Sequence, residues 1–385
     1  MPEPSFDAVV IGAGSVGTPA ALALAELGAR VLVLDARHGV GHGSNKAAIG
    51  GVRATHSQPA KVLLCLRSLE IFSRWREQRG DDIEWRQGGY VFGAWRPAEA
   101  QTLREVAEAQ RALGLDIRWL DAKELLEVVP DLEPRDLLGG THSPGDGHCS
   151  PLLALEAFRA HAQRAGVSFH FDEPVTGLEL DGDRVVAVRT DRARYATRAV
   201  LHAAGAWARQ LAASWGEALP VRPDAHEAGI TEPVAPFLAP LVVDIRPGPG
   251  SANVYFFQHA SGQLVFCLTP SPLEWGDDTR ETSRFLPLAA ARLVAAMPRL
   301  AGLRVRRTWR GLYPMTPDGS PFVGFSPKVP GLFLAAGMCG QGFMLGPAVG
   351  ELAARALLGQ STDADRRVLA ELSPARSFGP AERLR

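Results

Sequence analysis

The stretch VVIGAGSVGTPAALALAELGARVLVLDAR, residues 9 to 37, constrains the fold more than any other part of the chain. The apolar run AVVIG reads as a parallel strand covered on both faces. It leads into Gly12, Gly14 and Gly17, spaced GxGxxG. In that spacing the first glycine permits a tight turn and the second lets a pyrophosphate approach the backbone. The third lets helix and strand pack closely. The helix begins behind Ser15 and Val16, and its free N–H groups and positive dipole suit phosphate. Pro19 falls in its first turn, where the missing N–H does no harm. The helix ends at Gly28, and the second strand, RVLVLD, closes on Asp35, which can accept hydrogen bonds from a ribose diol. Ala36 and Arg37 complete that edge. With strand, helix, second strand and acid all in place, the unit reads as a dinucleotide site. The acid disfavours a 2′-phosphorylated dinucleotide; NAD and FAD remain open.

Bulk properties remove several alternatives. At 385 residues the chain has room for two domains or for one with an insertion. A net charge of −1 argues against a nucleic-acid partner, which would call for a basic excess. Cys65, Cys149, Cys267 and Cys339 lie far apart, without a CxxC pair, so neither zinc nor a disulfide framework is expected. No apolar run approaches membrane-spanning length, and the apolar run at the N-terminus is already the first strand. The expected location is the cytoplasm. Lysine occurs only at positions 46, 61, 123 and 328, and the other 37 basic residues are arginines.

The segment after Asp35 departs from a plain NAD domain. RHGVGHGSNKAAIGGVRATHS (37–57) is a glycine-studded loop without strand period, followed by an amphipathic helix, PAKVLLCLRSLEIFSRWREQ. Towards the other end, GLFLAAGMCGQGFMLGPAVGELAARALLG (331–359) reads as strand, glycine-rich turn and helix. AVRTDRARYATRAVLHAAG reads as two strands joined by a turn, the second ending at Ala204-Gly205. NVYFFQHASGQLVFCLTP reads as a hairpin around HASGQ. The tail SPARSFGPAERLR is expected to fray.

Together with Gly43-Ser44, Arg53, DGHCSP (146–151), HAAGAWA (202–208), HEAGITEP (226–233) and TWRGLYPMTPDGSPFVG (308–324), these segments carry a resemblance. The chain resembles the D-amino-acid oxidase and sarcosine oxidase superfamily of FAD-dependent amine oxidoreductases. It is most similar to the sarcosine oxidase β-subunit and dye-linked proline dehydrogenase type, nearly end to end. The resemblance implies an α/β fold, α+β overall. A Rossmann-type FAD domain would come from 1–85, 140–220 and 322–385. A discontinuous antiparallel-sheet substrate domain would come from 86–139 and 221–321. It implies non-covalent FAD, because the cysteine that links flavin in monomeric sarcosine oxidase corresponds here to Gly311. The cofactor set it implies adds Gly43, Ser44, Asn45, Val175, Ala204, Gly205, Trp207, Gly340, Gly342, Phe343 and Met344 to the first loop.

Flavin-dependent amine oxidation moves a hydride from the substrate α-carbon to flavin N5, and the protein orients the substrate and stabilises charge. By resemblance, the turn at Gly342, Phe343 and Met344 faces the N1–C2=O edge, where negative charge builds. Arg53 matches the arginine that reaches the substrate carboxylate; on residue type alone it would be a surface arginine. Tyr255 and Tyr313 are candidates for the substrate cavity, with packed core aromatics as the alternative. His56 is the only nearby histidine with a conceivable proton role. Two departures bear on the substrate. A second carboxylate anchor of monomeric sarcosine oxidase is replaced by Met344, and an arginine of glycine oxidases by Tyr313. That favours a more apolar ligand such as proline or an N-alkyl amino acid, unless Met344 is plain core.

The oxidases of this family place a lysine in the substrate-domain hairpin, and this chain has no lysine between 123 and 328. Oxygen chemistry would need Lys46, Arg53 or Arg310 instead, and Lys46 lies in the loop expected to pass near the flavin ring. The balance therefore leans to a dehydrogenase passing electrons to another acceptor or partner subunit. A peroxide-forming oxidase and a catalytically silent flavin subunit are the alternatives.

Overall fold

The computed structural model describes residues 5–384, which divide into two compact units. The first comprises residues up to Ala48, Pro151–Pro223 and Tyr313–Glu382; the second comprises Ile49–Ser150, Asp224–Leu312 and the residues after Glu382.

The first unit is built on a six-stranded sheet. Its order is Phe322–Phe325, Leu332–Ala336, Val200–His202, Ala8–Ile11, Val31–Leu34 and Ser168–His170. All neighbours are parallel except the first pair. The strand Ala8–Ile11 is buried throughout, as a strand covered on both faces must be. Its sequence successor lies on one side and Val200–His202 on the other, so the strand order reverses there. In open α/β sheets, ligands bind beyond the carboxyl ends of the strands at that reversal. The glycine loop occupies this position.

The helix Gly17–Glu26 follows at once, and the helix Gly342–Leu357 packs across it with little between them. A Cβ at Gly346 would overlap the carbonyl oxygen of Ser15, and one at Gly350 would crowd the amide of Ala20. The expected strand, turn and helix of 331–359 are present as Leu332–Ala336 and Gly342–Leu357.

In the second unit an eight-stranded, largely antiparallel sheet runs 305–315, 222–233, 263–270, 251–258, 241–244, 90–94, 139–143 and 118–121. Val242, Val254, Phe256, Phe266 and Leu268 face one core, with Phe285, Ala289 and Leu293 of the helix Phe285–Ala296. Tyr90, Phe92, Val243, Phe257 and Val265 face another, with Ala100, Leu103 and Val106 of the helix Pro97–Ala112. The hairpin 251–270 closes as expected, with Tyr255 opposite Cys267.

Residues 49–85 and 140–150 lie in the second unit, where Gly51–Val52 pairs with Gly147–His148 and Gly51 fits against Tyr90. Three expectations are corrected. The apolar stretch of 184–202 makes three strands, and the chain changes sheets between Arg194–Ala196 and Val200–His202. The helix from Pro59 breaks at Arg74 into Pro59–Ser73 and Trp75–Arg79. The tail is fastened: buried Arg376 pairs with buried Asp318 at 2.9 Å, and lies over Phe322.

Gly346→Ala should cost stability although alanine is the better helix former. The overlap with a backbone oxygen costs about 1–3 kcal/mol, more than the roughly 1 kcal/mol gained in propensity. A melting temperature several degrees lower is expected, with and without flavin. Gly302→Ala, which meets nothing within 4 Å, should melt unchanged.

Candidate functional site

The candidate cofactor cradle lies within the first unit and is made mostly by backbone. Gly12 adopts φ +106°, where a side chain would be strained and would press on Ala203. A Cβ at Gly17 would overlap the Gly12 carbonyl, so the helix closes tightly on the turn. Gly14 differs: nothing lies within 4 Å of its Cβ position, and its backbone faces open space, as close approach of a pyrophosphate requires. Asp35 accepts hydrogen bonds from the Ala13 amide at 2.6 Å and the Arg37 amide at 2.7 Å. Burial raises its pKa from the ordinary carboxylate value against the pull of those two amides.

The second loop folds back onto the first. The Gly41 amide donates to the Ala13 carbonyl at 2.8 Å, and Asn45 Nδ2 to the Pro151 carbonyl at 3.1 Å. A Cβ at Gly43 would contact Trp207, and the Arg37 guanidinium lies 5.0 Å from the Trp207 ring centroid. Ala204 leads into the short turn Gly205–Trp207. Val175 opens the strand Val175–Asp181, half-buried against the unit's core. Lys46 projects to the surface and Ala36 is exposed.

The third segment arrives through the helix Gly342–Leu357. A Cβ at Gly342 would stand 3.3 Å from Ser15 Oγ, so two helix N-termini meet there. Neither helix carries an acidic residue in its first turn. Two positive dipole ends side by side favour an anion between them. Phe343 is buried and Met344 half-buried. Tyr313 lies against the turn, since a Cβ at Gly340 would run into its ring. Three buried side-chain oxygens point the same way: Ser44 Oγ, Asn45 Oδ1 and Gln341 Oε1 have no hydrogen-bond partner among the described residues. Buried polar atoms need partners, and the hydroxyls, amide groups and phosphates of FAD supply them. The residues fit the cofactor. Gln341 was missed in the sequence, although it sits between two glycines that were not.

The candidates in the second unit stand apart from that cradle in the sequence and have chemistry of their own. Arg53 is 7% exposed, so it is no surface arginine. Its guanidinium donates to the Thr55 carbonyl, to Thr55 Oγ1 at 3.2 Å and to the Leu384 carbonyl at 2.9 Å, and lies 5.3 Å from the Phe92 ring centroid. Tyr255 is half-buried on its strand between Cys267 and Val243. His56 is fully enclosed; burial first, then the charges of Arg53 and buried Lys61, hold its pKa well below the ordinary value, so it stays neutral. That removes it as a proton carrier near neutral pH.

Asp146, absent from the sequence candidates, is fully buried in the same region. It accepts from Ser143 Oγ at 2.5 Å and from the Ala54 amide at 3.2 Å. Burial pushes its pKa up to about 7, against those hydrogen bonds and the Arg53 charge. Between the ordinary value of 3.8 and about 7 the folded chain keeps a proton that the unfolded chain releases. Stability contributed by this carboxyl is therefore present in full at acid pH and is lost as pH rises through that window, by a few kcal/mol. Asp146→Asn should gain on the wild type as pH rises from 4 to 8 in urea unfolding. A difference that does not change with pH would refute the assignment.

Among the described residues no group of histidine, cysteine or acidic side chains could hold a metal, and no helix is long and apolar enough to cross a membrane. All four cysteines are buried, and none forms a disulfide among the described residues. The chain is 28% identical over 381 residues to a glycine oxidase of Geobacillus kaustophilus, covering 97% of this chain and 98% of that one. It is 29% identical to a monomeric sarcosine oxidase of Streptomyces avermitilis, covering 91% and 93%. Its structure superposes on that of L-proline dehydrogenase from P. horikoshii with a TM-score of 0.90, at 29% identity and 98% of both chains. The DAO family profile, described as FAD dependent oxidoreductase, matches residues 7–356, and the chain belongs to that family.

Proposed function

We propose that this enzyme oxidises the C–N bond of a small amino acid or N-alkyl amino acid, with sarcosine and proline as the leading cases. The observation that carries the reading is the cradle of the first unit. It combines the open face of Gly14, two converging helix N-termini and three buried oxygens whose partners a flavin dinucleotide supplies. The relatives named above, acting on glycine, sarcosine and L-proline, support the substrate class. FAD, held without a covalent bond, supplies the hydride acceptor.

The chain's own residues would do the rest. The Gly342 helix N-terminus stabilises negative charge by its dipole and free amides. Arg53 offers a fixed, desolvated guanidinium to the substrate carboxylate, where a charge-assisted pair is stronger than at a surface. Tyr313 and Met344 border the same turn and give it an apolar side with one hydroxyl, which favours a proline or N-alkyl group over glycine. Tyr255 adds a second hydroxyl.

A dehydrogenase, passing electrons to a partner subunit or a small acceptor, is preferred over a peroxide-forming oxidase. The sheet hairpin carries no lysine, and exposed Lys46 lacks the desolvation that strengthens a charge's action on oxygen. A silent flavin-binding subunit is the remaining alternative.

Anaerobic titration of the yellow protein with sarcosine, L-proline, dimethylglycine and D- and L-amino acids should bleach the flavin band with one of the secondary amines. Admission of air should restore it slowly. Arg53→Met, which keeps the length of the side chain over Phe92, should retain FAD and raise KM about a hundredfold, the equivalent of roughly 2–3 kcal/mol for a charged hydrogen bond. A flavin that no amine bleaches would shift the reading to a silent subunit.

A further inference from the structure

An arginine that receives a carboxylate must itself be held, because its side chain carries about 2 kcal/mol of rotamer entropy. Arg53 is held from two directions. Thr55, two residues on, takes Nη1 with its carbonyl and hydroxyl. Leu384, 331 residues on, takes Nη2 with its carbonyl at 2.9 Å. Nε makes no hydrogen bond among the described residues. The Nε edge is one side of the fork with which a guanidinium takes a carboxylate.

The contact with Leu384 is built into the packing. Leu384 is 3% exposed and sits in the cluster of Tyr90, Phe92, Ala100 and Leu103. Next to it, the Arg383 amide donates to Ser57 Oγ at 3.0 Å, and the Arg383 guanidinium pairs with Glu105 at 2.9 Å. No strand or helix ladder fixes these residues. The buried leucine and the Arg383 amide contribute to their seating, and the half-exposed ion pair adds at most about 1 kcal/mol.

We propose that Arg383 and Leu384 are positioning residues for Arg53. The tail holds the Nη2 end through the Leu384 carbonyl and leaves the Nε edge for a ligand, so its seating sets affinity for the substrate carboxylate. This rests on the reading that Arg53 binds that carboxylate. It makes the tail, far from the dinucleotide motif in sequence, part of the specificity of the site.

Leu384→Asp places a charge in an apolar cluster and should unseat the tail, whereas Leu384→Met should keep it. The probes are L-proline and pyrrolidine, the same ring without the carboxylate, read as anaerobic flavin bleaching alongside FAD content. In Leu384→Asp the KM for L-proline should rise tenfold or more with kcat within twofold, pyrrolidine should be unaffected, and FAD content should match the wild type. Leu384→Met should behave as wild type. Equal losses for both probes would show a merely structural brace and overturn the proposal. If neither probe bleaches the wild type, the reading of the substrate fails separately, and amide hydrogen exchange over residues 53–57 decides. Faster exchange there in Leu384→Asp supports the positioning role, and unchanged exchange overturns it.

Discussion

The close approach of two helices across glycines underlies the whole cofactor half. With Gly346 over the Ser15 carbonyl and Gly350 over the Ala20 amide, the helix Gly342–Leu357 lies on Gly17–Glu26 at backbone distance. The consequence is electrostatic as well as steric. Two N-termini, neither with an acidic first-turn residue, are brought beside Ser15. Such an arrangement is costly alone and favourable with an anionic ligand. The rest of the cradle follows from it: the 340–344 turn is delivered to the first loop, and Tyr313 fits where Gly340 leaves no Cβ.

This is why the fold of the first unit was legible in the sequence. Its signals are local: an all-apolar strand, three glycines at fixed spacing, a terminal acid, and a second strand-turn-helix near the other end. Each is needed for backbone geometry, and backbone requirements appear directly as residue types. The hairpin of 251–270 was visible for the same reason, since alternation flanks a short polar turn.

The illegible parts depend on partners distant in sequence. The loop 49–57 goes to the second unit because Gly51–Val52 bridges to Gly147–His148, about a hundred residues on. Residues 194–202 continue one apolar alternation while the chain passes from one sheet to another. The tail, polar and arginine-rich, carries every mark of a fraying end. It is fixed by Asp318 through Arg376 and by Arg53 and Glu105 through the last residues. Asp146, quoted only as part of DGHCSP, gave no sign of its burial, because an aspartate in a DG turn ordinarily faces solvent.

The same contrast separates family from substrate. A dinucleotide is gripped by amides, dipoles and the absence of side chains, which many sequences can supply in one way only. A substrate carboxylate is gripped by a few side chains whose orientation is set by their neighbours. For Arg53, the proposed carboxylate anchor, those neighbours are Phe92, Thr55 and Leu384. A change at any of them would alter how firmly the arginine is held while leaving the GxGxxG loop intact. Identity near 29% to enzymes named for glycine, sarcosine and proline is therefore compatible with one common cofactor grip and separately set substrates.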